Sequence, residues 1–263
     1  MNETRARWWG RFSLETEQRA LWQIGPTRLT ALRRAKEWCI DYVEETEHRE
    51  DASLEYPTEQ LLSSPSLARH RFAFVDPPEA IWLTPAVPDR ALVVYPEARL
   101  HVPTGESITL FCSIPLWLRV EAGESRLPLL EAPIDRPSDT WFGPSSREGE
   151  LCYATRTQAR LDRDAIPIRA HRATTELRIH NAAPGKLDLE RINLAVPFLS
   201  LFSTPDGRLW TESVALERSS TGEMGRLRLG DPPGEAEVEM IAGPRLTPET
   251  GGMLVRAFTA LFD

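Results

Sequence analysis

Residues able to do chemistry are few in this chain, and their spacing is loose. Ser138-Asp139-Thr140 sets hydroxyls beside a carboxylate, and His171 or His180 could serve as the base of a nucleophilic triad. Such a triad needs all three groups in contact, and no strained elbow around a nucleophile fixes them here. Asp139 is read instead as a turn residue that accepts backbone N–H bonds. Glu148 and Glu150 are two apart, which on a strand puts both carboxylates on one face, as acid/base work on glycosides would need. Gly149 interrupts that strand, and solvated glutamates are far commoner. Cys152 sits in an alternating run that suits a small buried side chain better than a nucleophile. There is no glycine-rich phosphate loop, paired CxxC or HExxH, so no catalytic residue, cofactor or metal ligand is assigned. The acidic run Glu44, Glu45 and Glu47 around His48 reads as solvated charge.

Aromatic residues carry the stronger signal. Of eight tryptophans, Trp141 with Phe142 in a turn-rich setting, and Trp8-Trp9 near the start, are expected as exposed aromatics at an interface. Asp139 and Arg147 flank Trp141 and complete a cluster suited to a protein partner or to the face of a sugar ring. Core packing is the commoner fate of such residues, and Trp38 and Trp210 are read as core.

Most of these groups lie in residues 137–161, which begin as a polar turn and change at Gly149 into a strand-like alternation. Leu151, Tyr153 and Thr155 share one parity there, and Cys152, Ala154 and Arg156 the other. The rest of the chain has the same texture. With 22 prolines and 15 glycines, long helices are interrupted and short strands favoured. Gly25-Pro26, residues 102–106 with Gly105 at positive φ, and residues 204–207 read as tight turns between strands. Residues 27–44 read as a strand meander. A helix is the rival there, with Leu29, Leu32, Ala35 and Cys39 as its stripe. Near the end, Thr247-Pro248-Glu249 supplies an N-cap, a proline and an early acid. Met253, Leu254, Ala257, Phe258, Leu261 and Phe262 then recur at helical spacing, which predicts a C-terminal helix.

The predicted fold is mostly β: two β-sandwich-like domains over residues 1–130 and 131–263, the second closed by that helix. Residues 121–138, rich in proline and charge, mark the boundary. A short echo between residues 113–118 and 195–200 suggests a duplication. Net charge is −8, which argues against nucleic-acid binding. Arg28, Arg33, Arg34 and Lys36 read as one solvated face. No apolar run approaches a membrane span, so direct membrane insertion is not expected. The first dozen residues have charge but no signal core, and Cys39, Cys112 and Cys152 read as buried free thiols, so the expected location is cytoplasmic.

Trp22-Gln23-Ile24-Gly25-Pro26, Pro96 with Val102-Pro103-Thr104-Gly105-Glu106, Ile114-Pro115-Leu116-Trp117 and Ser138-Asp139-Thr140-Trp141-Phe142-Gly143, with Gly149-Glu150-Leu151-Cys152-Tyr153, carry a family resemblance. The chain resembles domain-of-unknown-function family 432 (DUF432), found in archaea and bacteria. The resemblance implies no activity. Genes of that family are sometimes adjacent to small mechanosensitive channels, which implies a membrane-protein partner. The expected function is therefore a non-enzymatic interaction or structural protein, with a protein partner or self-association into an oligomer. Two alternatives stand beside it: a carbohydrate-binding sandwich using Trp141, Asp139 and Arg147, or a hydrolase using Asp139, Glu148 or Glu150 with His171 or His180. A small-molecule or glycan ligand is thus a secondary expectation.

Overall fold

Proline punctuation and β-branched or aromatic runs produce strands almost throughout. The structure, a computed structural model, describes residues 7–45, 51–55, 70–145, 147–219, 224–232, 234, 237–247 and 253–258. Of the acidic run Glu44, Glu45 and Glu47 around His48, Glu47 and His48 lie outside the described residues, while Glu45 is ion-paired with Arg28 at 2.9 Å. The chain divides into two compact units: residues 1–86, 116–135 and 169–171 form one, and 87–115, 136–168 and 172–263 the other. The units are interleaved along the chain, and the crossing at residues 135–136 lies inside the Pro- and charge-rich stretch.

The first unit opens with β1 (Gly10–Ser13), β2 (Arg19–Ile24), β3 (Thr27–Arg34), β4 (Glu37–Glu44), β5 (Ala52–Glu55), β6 (His70–Ala73) and β7 (Ala80–Ala86). The chain then crosses to the second unit for β8 (Leu92–Pro96), β9 (Leu100–Val102) and β10 (Ser107–Pro115), and returns for β11 (Trp117–Ala122) and β12 (Leu127–Pro133). Strand β12 occupies residues expected to form a linker. The described residues of the first unit form two antiparallel sheets, ordered β5-β2-β3-β4-β6 and β1-β7-β11-β12. Residues 27–44 form a meander: Thr27 pairs with Glu44 and Arg34 with Glu37, around a turn at Ala35-Lys36. Trp38, Cys39 and Ile40 are buried there, so aromatic and β-branched content outweighs the helical stripe. Phe12 of one sheet meets Trp22 of the other edge to face, with ring centroids 5.1 Å apart.

The second unit continues with β13 (Ser138–Phe142), β14 (Glu150–Ala159), β15 (Arg172–Asn181), β16 (Leu187–Leu189), β17 (Ile192–Leu194), β18 (Leu201–Ser203) and β19 (Leu209–Thr211). It ends with β20 (Val214–Arg218), β21 (Met224–Leu229), β22 (Glu239–Ala242) and β23 (Met253–Arg256). Among the described residues three sheets result: β13-β14-β8-β17, the pair β16-β9, and an eight-stranded sheet built on β15. Strand β15 is paired along its length with β10 on one edge. Its other edge is shared: β19 runs parallel beside Ala173 and Thr174, and β20 parallel beside residues 177–181. The sheet therefore forks at Thr175 and Glu176, with β18 and β22 beyond β19 and β21 and β23 beyond β20.

Three expectations are corrected here. The predicted C-terminal helix is absent where the chain is described: Met253–Arg256 is β23, antiparallel to β21, and the one helical turn among the described residues is the 3-10 turn Val196–Phe198. Strand β21 has an edge whose N–H and C=O groups need partners, and the Gly251-Gly252 pair removes roughly 2 kcal/mol of helix propensity. Ala257 and Phe258, expected on a helical stripe, are buried from extended chain, and a Cβ on Gly225 would strike Phe258. Nor are the units a pair of antiparallel sandwiches, because the second contains the parallel pairs β15–β19, β15–β20 and β14–β8. The echo that suggested duplication does not fold alike in its two copies. Residues 113–118 are extended across β10 and β11, whereas residues 196–198 form the 3-10 turn.

The turns behave as their residues require. Gly25, Gly105 and Gly207 have φ of 54°, 81° and 78°. Residues 204–207 join β18 to β19 as a hairpin. Gly105, however, connects strands that do not pair with each other: β9 joins β16, and β10 joins β15.

Candidate functional site

Antiparallel pairing of β13 with β14 sets Asp139 opposite Tyr153, Thr140 opposite Cys152, Trp141 opposite Leu151 and Phe142 opposite Glu150. Alternation then sorts the side chains. Phe142 and Cys152 are both fully buried and pack with Ala91 and Val93 in a small core. The opposite face carries Asp139, Trp141, Leu151 and Tyr153. Trp141 and Leu151 remain 46% and 38% exposed, a directly opposed apolar pair on a surface hairpin. Strand β13 is also the edge of its sheet.

The turn that closes the hairpin is held by its own backbone and by β23. Ser145 Oγ accepts from the N–H groups of Arg147 and Glu148, each at 3.3 Å. Arg256 donates to the carbonyl of Glu148. A Cβ on Gly143, at φ 137°, would lie 2.6 Å from that guanidinium and 2.7 Å from Gly149 Cα, so glycine is required there. Arg191 lies over the Phe142 ring, 5.2 Å from its centroid.

Beside the apolar pair lies a charged cluster that sequence reasoning saw only in part. Asp139 accepts from Arg90 Nη1 at 3.1 Å and is 3.6 Å from Arg136 Nη2. Arg90 also covers the Tyr153 ring at 5.2 Å, and the Tyr153 hydroxyl donates to Asp89 at 3.0 Å. Burial, then the bond to Asp89, raises the Tyr153 pKa, so the phenol stays neutral. Arg90 had no signal beyond composition and Tyr153 only its place in the alternation, because the partners are dozens of residues apart.

The six residues singled out from the sequence therefore divide. Asp139 and Trp141 share the outer face of β13, and Asp139 sits on a strand rather than in a turn. Arg147 is exposed in the turn. Phe142 is not exposed: it anchors the inner face. Trp8 and Trp9, expected at a surface, are 0% and 6% exposed. Trp8 Nε1 donates to the Ala170 carbonyl at 2.8 Å, and the two rings meet edge to face at 5.6 Å. A large apolar ring with one satisfiable N–H is more stable there than in water. Trp38 and Trp210 are buried as expected.

The groups considered for hydrolysis go separate ways. His171 is buried in the first unit, while His180 pairs with Ser107 Oγ at 2.9 Å. Glu148 is exposed, and the Glu150 carboxylate accepts from Asn193 Nδ2 at 3.1 Å. Among the described residues no group of three or more His, Cys, Asp or Glu is placed to hold a metal ion.

All three cysteines are free and buried. Burial pushes the Cys112 and Cys152 thiols up to about 12, and raises Cys39 as well. With Ellman's reagent at mildly alkaline pH, the native protein is expected to show no rapid thiol reaction, and denatured protein to release the full signal. A fast-reacting native thiol would show that one of these sites is open.

A family profile described as "Protein of unknown function (DUF432)" matches residues 8–263, nearly the whole chain. No curated protein and no solved structure matches it. Among the described residues, no helix is long and apolar enough to cross a membrane.

Proposed function

This chain belongs to the DUF432 family over residues 8–263, and we propose that it works as a non-catalytic interaction module, engaging another protein chain through the β13–β14 hairpin. The observation that carries this reading is the Trp141–Leu151 pair, exposed side by side while the reverse face of the same hairpin is anchored by Phe142. Tryptophan and arginine dominate the energetics of protein interfaces because each buries much area and still offers directed hydrogen bonds. Here Arg90 and Arg136 are held by Asp139, which lies two residues before Trp141 on the same face of β13. The edge position of β13 adds main-chain groups to which a partner strand can pair. The partner suggested by the family resemblance is a membrane protein, and the hairpin is equally able to meet a second copy of the chain.

Trp141→Ala tests the reading. The side chain is half exposed, so folding stability should change by less than about 0.5 kcal/mol. Affinity for the partner should fall by about 2 kcal/mol, roughly thirty-fold. Affinity capture from detergent extracts, with light scattering of the purified protein, compares the two chains. A wild-type protein that is monomeric and captures nothing that Trp141→Ala loses would sink the proposal.

A further inference from the structure

The fork in the eight-stranded sheet creates a second feature, unconnected with the hairpin. Opposite Thr175 and Glu176, the neighbouring strand is interrupted between β19 and β20 by Glu212 and Ser213. A cavity of about 490 Å³ opens at this gap, lined among others by Phe111, Glu176, Arg178, Trp210, Ser213 and Asp231. That volume is within the range of sites that hold small molecules, about 300–1,000 Å³. Register explains the composition of one wall. Phe111 is opposite Glu176, and Trp210 is beside Thr174, so two aromatic rings and the outward side chains of β15 share one face of the sheet.

The site is held before any ligand arrives. At the base of the gap the Thr175 and Thr211 hydroxyls are hydrogen-bonded at 2.8 Å. The segment after β21 is tied to the link between β19 and β20: Gly230 N–H donates to Ser213 O at 2.7 Å, and Ser213 N–H to Asp231 O at 3.1 Å. Gly230 is needed for this approach, since a Cβ there would lie 2.2 Å from Ser213 Oγ. Binding at such a site costs little ordering of the backbone.

Its charges indicate what it takes. Arg178 and Glu176 are paired at 2.6 Å, and Arg163, also in the lining, lies over the Trp210 ring at 5.8 Å. Two guanidinium groups are thus matched by two carboxylates, those of Glu176 and Asp231, and the lining has no net charge. An ionic ligand would gain from one sign and be repelled by the other. A neutral polyhydroxyl ligand meets no such conflict: carboxylates accept from its hydroxyls, guanidinium groups donate to them, and the half-buried Phe111 ring covers a C–H face. We propose that the fork is a binding site for an uncharged carbohydrate, a mono- or disaccharide unit of a neutral glycan.

The full chain would be titrated with neutral gluco-, manno- and xylo-oligosaccharides, followed by calorimetry and tryptophan fluorescence. Saturable binding of at least one of them is expected. The double variant Glu176→Gln, Arg178→Gln should weaken it by about tenfold, as two charge-assisted contacts become weaker neutral hydrogen bonds. These side chains are surface-exposed enough for the variant to fold, which its thermal denaturation would verify. Trp141→Ala should bind the sugar as wild type does, so failure here and failure of the hairpin as a protein-docking site are distinguishable. No binding by any neutral oligosaccharide at low-millimolar concentration would overturn the proposal. So would unchanged binding in the folded double variant, or tighter binding of uronic-acid or sulfated oligosaccharides than of neutral ones.

Discussion

Phe142→Ala is expected to lower the stability of the second unit by about 3–5 kcal/mol, the usual cost of emptying a buried aromatic site. Phe142 is fully buried and shares its small core with Ala91, Val93 and Cys152, none of which is large enough to fill the space. A core this small has little ability to collapse, which favours the upper part of the range. The effect should be local as well as global. Cys152 lies in the same cluster with a thiol pushed up to about 12 by burial, so opening the cluster should make it react with Ellman's reagent under native conditions. Urea denaturation gives the first quantity and thiol kinetics the second. A stability loss below about 1 kcal/mol, with Cys152 still protected, would show that Phe142 does not anchor the hairpin. The comparison with Trp141→Ala is informative, because adjacent aromatic residues on one strand should then behave oppositely: one holds the fold and the other leaves it unchanged.

Gly25→Ala should destabilise the first unit by about 2–5 kcal/mol, adding the cost of left-handed backbone to that of overpacking. Gly25 has φ of 54°, and a Cβ there would lie 2.2 Å from Nδ1 of His171, a residue only 3% exposed. That ring has no easy retreat, since His171 is buried and its backbone is held by the bond from Leu116 N–H to its carbonyl at 3.1 Å. Gly105→Ala separates the two costs. Gly105 has φ of 81°, yet a Cβ there would have nothing within 4 Å, so its loss should be only the backbone part, about 1–2 kcal/mol. The midpoints of urea unfolding for the two variants provide the test. If Gly25→Ala costs no more than Gly105→Ala, contact with His171 is not what requires glycine at position 25.

Local pattern made much of this protein legible. The turn at Gly25-Pro26, the hairpin at residues 204–207 and the meander over residues 27–44 depend on neighbours a few positions apart, and each is where residue type placed it. The alternation at Leu151, Cys152 and Tyr153 likewise indicated two unlike faces, since a strand must send successive side chains to opposite sides. Three buried free thiols were legible for the same kind of reason: each cysteine is embedded in an apolar or alternating run.

What local pattern could not decide was which elements meet. Trp8 and Trp9 look exposed beside a charged terminus, but Ala170, far away in sequence, supplies the carbonyl that lets Trp8 be buried. Met253 and Leu254 have helical spacing, yet the open edge of β21 pairs them as a strand. Residues 111, 176, 210 and 231 carry no common motif, and become one cavity only because β15 has different neighbours at its two ends. The sequence by itself determined strand content, turn positions and the two-faced character of the central hairpin, because these follow from φ preferences and from the period of side chains along a strand. Tertiary structure decided burial of the aromatics, the fate of the C-terminal segment and the forked site, because long-range pairing of backbone groups and packing of distant side chains outweigh propensities of about 1 kcal/mol per residue.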